Sequence, residues 1–426
     1  MTITSTITST KTTRRRFLLG SGVVASSTLV LNNRNTRLAF ATPSDPNRGD
    51  ALVVIFLRFG ADGLSLTPPI GPAFDSYRSL RPTLHITPNQ ALPLDSSNSN
   101  AAFPQGLSGV VGLHPSLRSL YDSVWANGQM AVLPASGMPD HESTNRSHFE
   151  AQYNMEIGTS NQSVRNGWLT RVTEGQAPSA PVPGVATASH APTIYRGSPT
   201  AITVGNLSNP GVVGFRRSDQ ALSALNVMYQ GGAQLNQVAR RTLTATEALR
   251  GVDANGGSGY PNSYFASNLR DVANLLRADV GLVTATVDSH GWDHHSDQGT
   301  IGGDFDRLVT ELGEGISAFV SDLGSAINET TIVVVSEFGR TIDENSSRGT
   351  DHGRGGTSFV IGGGVQGGVF GYDYPDVIAD SDQNRRAIPV LTDYRKALDE
   401  VVRARVGVTG SFPTLANDLP DLGLVR

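Results

Sequence analysis

Gly281-Leu282-Val283-Thr284-Ala285-Thr286-Val287 runs without a break into Asp288-Ser289-His290-Gly291-Trp292-Asp293-His294-His295. The first seven residues are apolar or β-branched on both faces. That is the pattern of a central strand in a parallel sheet, which is covered on both sides and so need not alternate. The next eight hold three of the chain's nine histidines and two carboxylates. Imidazole and carboxylate are ligand types of zinc, manganese and iron, and ligands in such sheets gather at the carboxyl ends of strands. The stretch therefore reads as a strand that ends in a metal site; the alternative is a polar turn with solvated or hydrogen-bonded histidines.

Working outward, apolar runs at 51–57, 129–135, 330–335 and 357–361 predict further strands, and helical spacing predicts helices at 113–126, 305–323 and 392–405. Strands separated by helices predict an α/β fold of three layers, α/β/α, around a mostly parallel central sheet. Residues 165–280 change character. A Pro- and Ala-rich stretch precedes helical patterns at 220–229, 233–249 and 264–276, which reads as a helical insertion or cap. Gly362 to Gly367 fits G-x-G-x-x-G, but Gly368 to Tyr372 is not a helix start, so the match reads as a turn.

The N-terminus, Thr13-Arg14-Arg15-Arg16-Phe17-Leu18, leads into an apolar stretch to Leu31 and then Ala39-Phe40-Ala41. Paired arginines, a short apolar region and a small-x-small site are the features of a twin-arginine export signal over residues 1–41. Fourteen apolar-region residues are too few for a stable membrane anchor. Cleavage after Ala41 leaves 27 basic against 38 acidic residues, a formal charge of −11, which argues against nucleic acid or an anionic membrane as partner. The expected location is periplasmic or extracellular, reached in the folded state. The absence of cysteine excludes disulfides, thiolate ligands and cysteine nucleophiles.

Each strand delivers polar residues at its end. Asp62 lies between Gly60 and Gly63, where the backbone can turn sharply and bring a carboxylate to an ion; an Asx-turn or helix cap is the alternative. Glu337 follows Val333-Val334-Val335 and Ser336, so it is expected to be partly buried and to need a cation, either a metal or nearby Arg340. Asp351-His352 is either a carboxylate orienting an imidazole or two ligands. Ser147 opens a helical pattern with Glu150 three residues on, a capping box. The same place suits a nucleophilic hydroxyl, for which Thr144 and Ser143 are rivals. Arg340 and Arg354 are candidates to clamp a tetrahedral oxyanion. If these strand ends share one edge, the carboxylates and histidines converge.

The motifs together, Leu57-Arg58-Phe59-Gly60-Ala61-Asp62-Gly63-Leu64, Arg146-Ser147-His148-Phe149-Glu150-Ala151-Gln152, Gly291-Trp292-Asp293-His294-His295, Ser336-Glu337-Phe338-Gly339-Arg340-Thr341 and Asp351-His352-Gly353, span the whole chain. On them the chain resembles the exported bacterial family called domain of unknown function 1501, which in turn is similar to the alkaline phosphatase and sulfatase superfamily. The resemblance implies that fold and one or two divalent ions, zinc or manganese. It implies metal ligands Asp62, Asp293, His295, Glu337 and His352, with Ser147 or Thr144 as nucleophile. Two departures stand out: Asp293 and His295 are two residues apart where the superfamily spaces them by four, with Asp297 at that spacing. Glu337-Phe338 stands where Asp-His is common. The implied function is an exported metal-dependent hydrolase of phosphate or sulfate esters, acting on a small anionic ester. The alternatives are a non-catalytic exported binding or assembly protein with an exported protein partner, and a phosphomutase-like enzyme.

Overall fold

The computed structural model describes residues 50–96, 108–176, 180–205, 207, 218–371, 387–415 and 420–426; the export signal expected over 1–41 lies outside them. Nine strands form the main sheet: β1 (Ala51–Leu57), β2 (Met130–Gly137), β3 (Gly184–Ala186), β4 (Ala201–Thr203), β5 (Thr284–Ser289), β6 (Thr330–Val335), β7 (Gly356–Gly362), β8 (Gly368–Val369) and β9 (Thr392–Asp393). Their order is β8-β2-β7-β6-β1-β5-β3-β4, with β9 also pairing β2. Only β7 runs against its neighbours, β2 and β6; the other pairings are parallel.

The two faces of the strands feed two cores. Val53, Ile55, Leu57, Ala285, Val287, Ile332 and Val334 pack on one side, beneath α6 (Tyr264–Arg277) and α7 (Asp304–Leu323). Leu52, Val54, Phe56, Val333, Val335 and Val360 pack on the other. There they lie beneath α2 (His148–Ile157), α3 (Trp168–Gln176) and α8 (Tyr394–Val401), α1 being the short helix Phe74–Leu80 between β1 and β2. Every residue of β1 is buried, which accounts for its unbroken apolar sequence. The fold is α/β with helices on both faces of a mixed, mostly parallel sheet.

Two expectations change. The helical stretch expected at 113–126 is present over 115–125, but it passes from a 3-10 turn (Pro115–Leu117) through an α turn (Arg118–Leu120) to a π turn (Tyr121–Trp125) rather than forming one α-helix, and it buries Leu117, Leu120, Val124 and Trp125. Segment 165–280, expected as a helical insertion or cap, also contributes to the core layers. It supplies β3 and β4 to the sheet edge and α3 and α6 to the two faces, so the helical addition reduces to α4 (Ser218–Met228) and α5 (Gln234–Arg250), which pack on each other. The glycines at 362–367 form the turn between β7 and β8. Among the described residues no helix is long and apolar enough to cross a membrane.

The antiparallel β7 positions the site. The carboxyl ends of β1, β2, β5 and β6 and the amino end of β7 all lie at one edge, so the segment before β7 meets the segments that extend from the other four.

Candidate metal centre

At that edge His148, Asp293 and His352 each offer a ligand atom, and the three atoms lie within 4.8 Å of one another. His148 Nε2 is 3.3 Å and His352 Nε2 3.4 Å from Asp293 Oδ1. His295 adds a fourth: its Nε2 is 3.1 Å from Asp293 Oδ1 and 3.0 Å from His352 Nε2. Neighbouring atoms around a cation with bonds of about 2.0–2.1 Å sit roughly this far apart.

Tautomers are set by the partners. His148 Nδ1 faces Glu337 Oε1 at 2.9 Å, His295 Nδ1 faces Asp351 Oδ1 at 3.0 Å, and His352 Nδ1 faces the Arg146 carbonyl at 2.7 Å. An ionised carboxylate and a carbonyl only accept, so each Nδ1 carries the proton and donates it. In the neutral rings all three Nε2 lone pairs then point toward Asp293 Oδ1. His148 Nε2 is buried with no hydrogen-bond partner. Burial, with nearby positive charge from Arg340, holds the His352 imidazole below its ordinary range in spite of the Arg146 carbonyl. His148, Asp293 and His352 are thus a possible metal-binding triad, with His295 beside it, and imidazole nitrogens with a carboxylate oxygen are donor types that zinc and its first-row neighbours take.

Asp293 is held by Arg340. Burial pushes its carboxyl up, but the Arg340 hydrogen bond at 2.5 Å and its charge, with His295 and His148, bring it below the usual carboxylate range. Arg340 is itself buried and donates to the carbonyls of Gly60 (2.6 Å), Phe59 (2.7 Å), Thr350 (3.1 Å) and Trp292 (3.2 Å). It is an internal strut rather than an open oxyanion clamp. Arg354 is likewise engaged, with Asp140 and the Met138 carbonyl. Phe338 stacks on the His148 ring at 4.9 Å and Phe59 meets it edge-on at 5.3 Å, closing the back of the cluster. Side-chain exposure rises from 12% at His148 through 25% at His352 to 39% and 45% at Asp293 and His295, so the front is open.

The other expected residues are placed differently. Asp62 is buried and turned away, bonded by Arg81 at 2.6 and 3.0 Å, Ser65 at 2.6 Å and Gln298 at 2.8 Å. Burial raises its carboxyl and Arg81 more than offsets this, so it is held low by a cation the chain already carries. Glu337 stands behind His148, accepting also from Phe59 N and Gln152 Nε2, both at 2.9 Å. Asp351 orients His295, not its neighbour His352. Asp297 pairs with Arg348 outside the cluster, and Asp288 with Arg58 at 3.0 Å. Trp292 is buried and packs the turn against Phe305 at 5.6 Å. Ser147 is the exposed N-cap of α2 without a side-chain cap bond, and Thr144 is exposed in the preceding loop. In place of the expected capping box, Asn145 Oδ1 accepts from Ser147 N at 2.6 Å, and Glu150 bonds Asn145.

His148 is the candidate ligand that the motifs do not single out, since it stands beside Ser147 in the same helix-opening segment. The signal was present: His148 and Gln152 are four apart on one helix face, a polar pair aimed at a single acceptor, Glu337.

The model of the family described as "Protein of unknown function (DUF1501)" matches residues 125–391. No curated protein matches the chain. Among solved structures, a Bacteroides fragilis protein provisionally described as a sulfatase is similar at 9% identity and a TM-score of 0.29, over 92% of this chain and 78% of that one. At that level the likeness carries neither fold nor activity across.

Proposed function

The chain belongs to the DUF1501 family, whose description states no function, and from its site we propose an exported metal-dependent hydrolase of phosphate or sulfate esters. The observation that carries the metal is the convergence of three Nε2 atoms on Asp293 Oδ1, each ring fixed by an acceptor at Nδ1. The ester class rests on the resemblance of the motifs to the alkaline phosphatase and sulfatase superfamily, and export rests on the twin-arginine pattern of residues 13–18.

His148, His295, His352 and Asp293 would hold one divalent ion, zinc or manganese, which supplies Lewis acidity and positive charge opposite an anionic ester. The chain's own residues do the rest. Glu337, Asp351 and the Arg146 carbonyl keep the Nδ1 protons in place and so hold each Nε2 as a donor atom. Arg340 fixes the Asp293 carboxylate and takes part of its charge. Phe59 and Phe338 keep water from the rear of His148. Ser147 stands between Arg146 and His148, both bonded into the cluster, at the amino end of α2 where an alkoxide is favoured; it is assigned as nucleophile ahead of Thr144.

The test is metal analysis of protein purified without chelator, then a screen of chromogenic phosphate mono- and diesters and sulfate esters. One zinc or manganese per chain is expected, with turnover that Asp293→Ala abolishes together with the metal and Ser147→Ala abolishes with the metal retained. Folded, metal-free, inactive wild-type protein overturns the reading. Turnover that survives in Ser147→Ala moves the nucleophile to Thr144 or to water.

A further inference from the structure

We propose that Asn345 is the positioning residue that makes His295 a fourth ligand, and thereby sets how many protein atoms the metal centre has. The inference rests on the metal reading above and goes beyond it. His148 and His352 are aimed by acceptors within the fold, and Asp293 by the buried Arg340. His295 differs: its ring is 45% exposed, and Asp351, which aims it, is 60% exposed. An exposed pair of this kind samples several rotamers unless the chain around it is fixed.

Asn345 fixes both members. Its Nδ2 donates to the His295 carbonyl at 2.9 Å and to Asp351 Oδ1 at 3.2 Å, while its Oδ1 accepts from Ser347 N at 2.9 Å and Gly349 N at 3.1 Å. The two donors and two acceptor sites of one amide are thus all used. The backbone closes around this junction. Asn345 N donates to the Gly349 carbonyl at 2.8 Å, Thr350 N to that of His294 at 2.9 Å, Asp297 N to that of Ser347 at 2.9 Å and Gln298 N to that of Arg348 at 2.9 Å. Gly349 approaches so near that a Cβ there would stand 2.3 Å from the His295 carbonyl carbon. The segment 345–350 therefore clasps 294–298, and the Asn345 side chain ties that clasp to the carboxylate that orients the ligand.

Metal affinity by competition with a chromophoric chelator, and the visible spectrum of the cobalt-substituted protein, are measured for wild type, Asn345→Ala, His295→Ala and the double variant. Each single change is expected to weaken binding about 10- to 100-fold and to give the same altered cobalt spectrum. The double variant is expected to bind no more weakly than His295→Ala, because Asn345 acts through His295. Asp351→Asn, which leaves the backbone clasp in place, is expected to show the same non-additivity and serves if Asn345→Ala does not fold. Additive losses, or a wild-type cobalt spectrum in Asn345→Ala, overturn the proposal. Wild type that takes up neither cobalt nor zinc is a separate result, which removes the metal reading and this inference with it.

Discussion

Asp62 and Asp293 are both aspartates within two residues of a glycine, just past the ends of central strands, yet only Asp293 faces histidine nitrogens. The difference lies nineteen residues downstream of Asp62, in Arg81, whose guanidinium takes both carboxylate oxygens. No local feature of the Gly60–Gly63 turn announces that partner, which is why the ion pair is not readable from the motif. Removing the charge in Asp62→Asn leaves the fully buried Arg81 without its counter-charge. A loss of roughly 3–5 kcal/mol in urea unfolding is expected, with metal content unchanged. Metal lost at unchanged stability would instead return Asp62 to the ligand set. Glu142, in the loop that carries Ser147, provides a pH signature. Burial raises its carboxyl, but Arg395 at 2.8 Å and Ser160 more than offset this and lower it from 4.5 to about 2. A carboxylate whose value is depressed on folding contributes stability that is complete above 4.5 and is lost as pH falls toward about 2. Glu142→Gln is therefore expected to be less stable than wild type at neutral pH, with the gap closing between those two values. Denaturant melts across that window measure it, and a pH-independent gap would mean that packing, not charge, is what Glu142 contributes.

The loops that meet at the sheet edge are held by close backbone approach. Arg340 and His352 form an isolated bridge, and Gly353 N donates to the Gly339 carbonyl while Gly339 N donates to that of Arg354, both at 2.8 Å. A Cβ on Gly353 would fall 2.2 Å from the Arg340 carbonyl oxygen. Gly353→Ala must push the two segments apart, displacing His352 from one side and the strut under Asp293 from the other. Overpacking of this kind typically costs about 1–3 kcal/mol. The expected outcome is a lower melting temperature together with at least a tenfold loss of metal affinity in a chelator competition; a variant that loses stability alone would show that the ligands do not depend on this contact. The long strands of this edge were readable because a strand covered on both faces is an unbroken β-branched run, as in β1 and β6. β3 and β4 were not, since three residues carry no period and exist as strands only through pairing with β5 and with each other.

At the scale of the molecule, the convergence of motifs was legible while the membership of the candidate site was only partly so. Strand ends can be placed from runs of apolar residues. Which of several carboxylates and histidines near such an end turns inward depends on partners distant in sequence, such as Glu337 for His148 and Arg340 for Asp293. The site is thus assembled from α2, the β5 and β6 ends and the segment before β7, elements that the chain reaches at widely separated points. On the proposed reading, a cation held there would join loops that the two hydrophobic cores do not themselves join. Binding to the native state alone stabilises by an amount set by mass action, about 4 kcal/mol when free metal is 1,000 times its dissociation constant. Chelation is therefore expected to lower the unfolding temperature in proportion to affinity while far-ultraviolet circular dichroism at 25 °C stays unchanged, because β1, β5 and β6 keep their burial without the ion. Asp293→Ala should sit at the chelated baseline and fail to respond to added metal. With Asp62 neutralised by Arg81, titration of the wild type should saturate at one ion per chain. Saturation at two, or a metal response that persists in Asp293→Ala, would place a cation somewhere other than among His148, His295, His352 and Asp293.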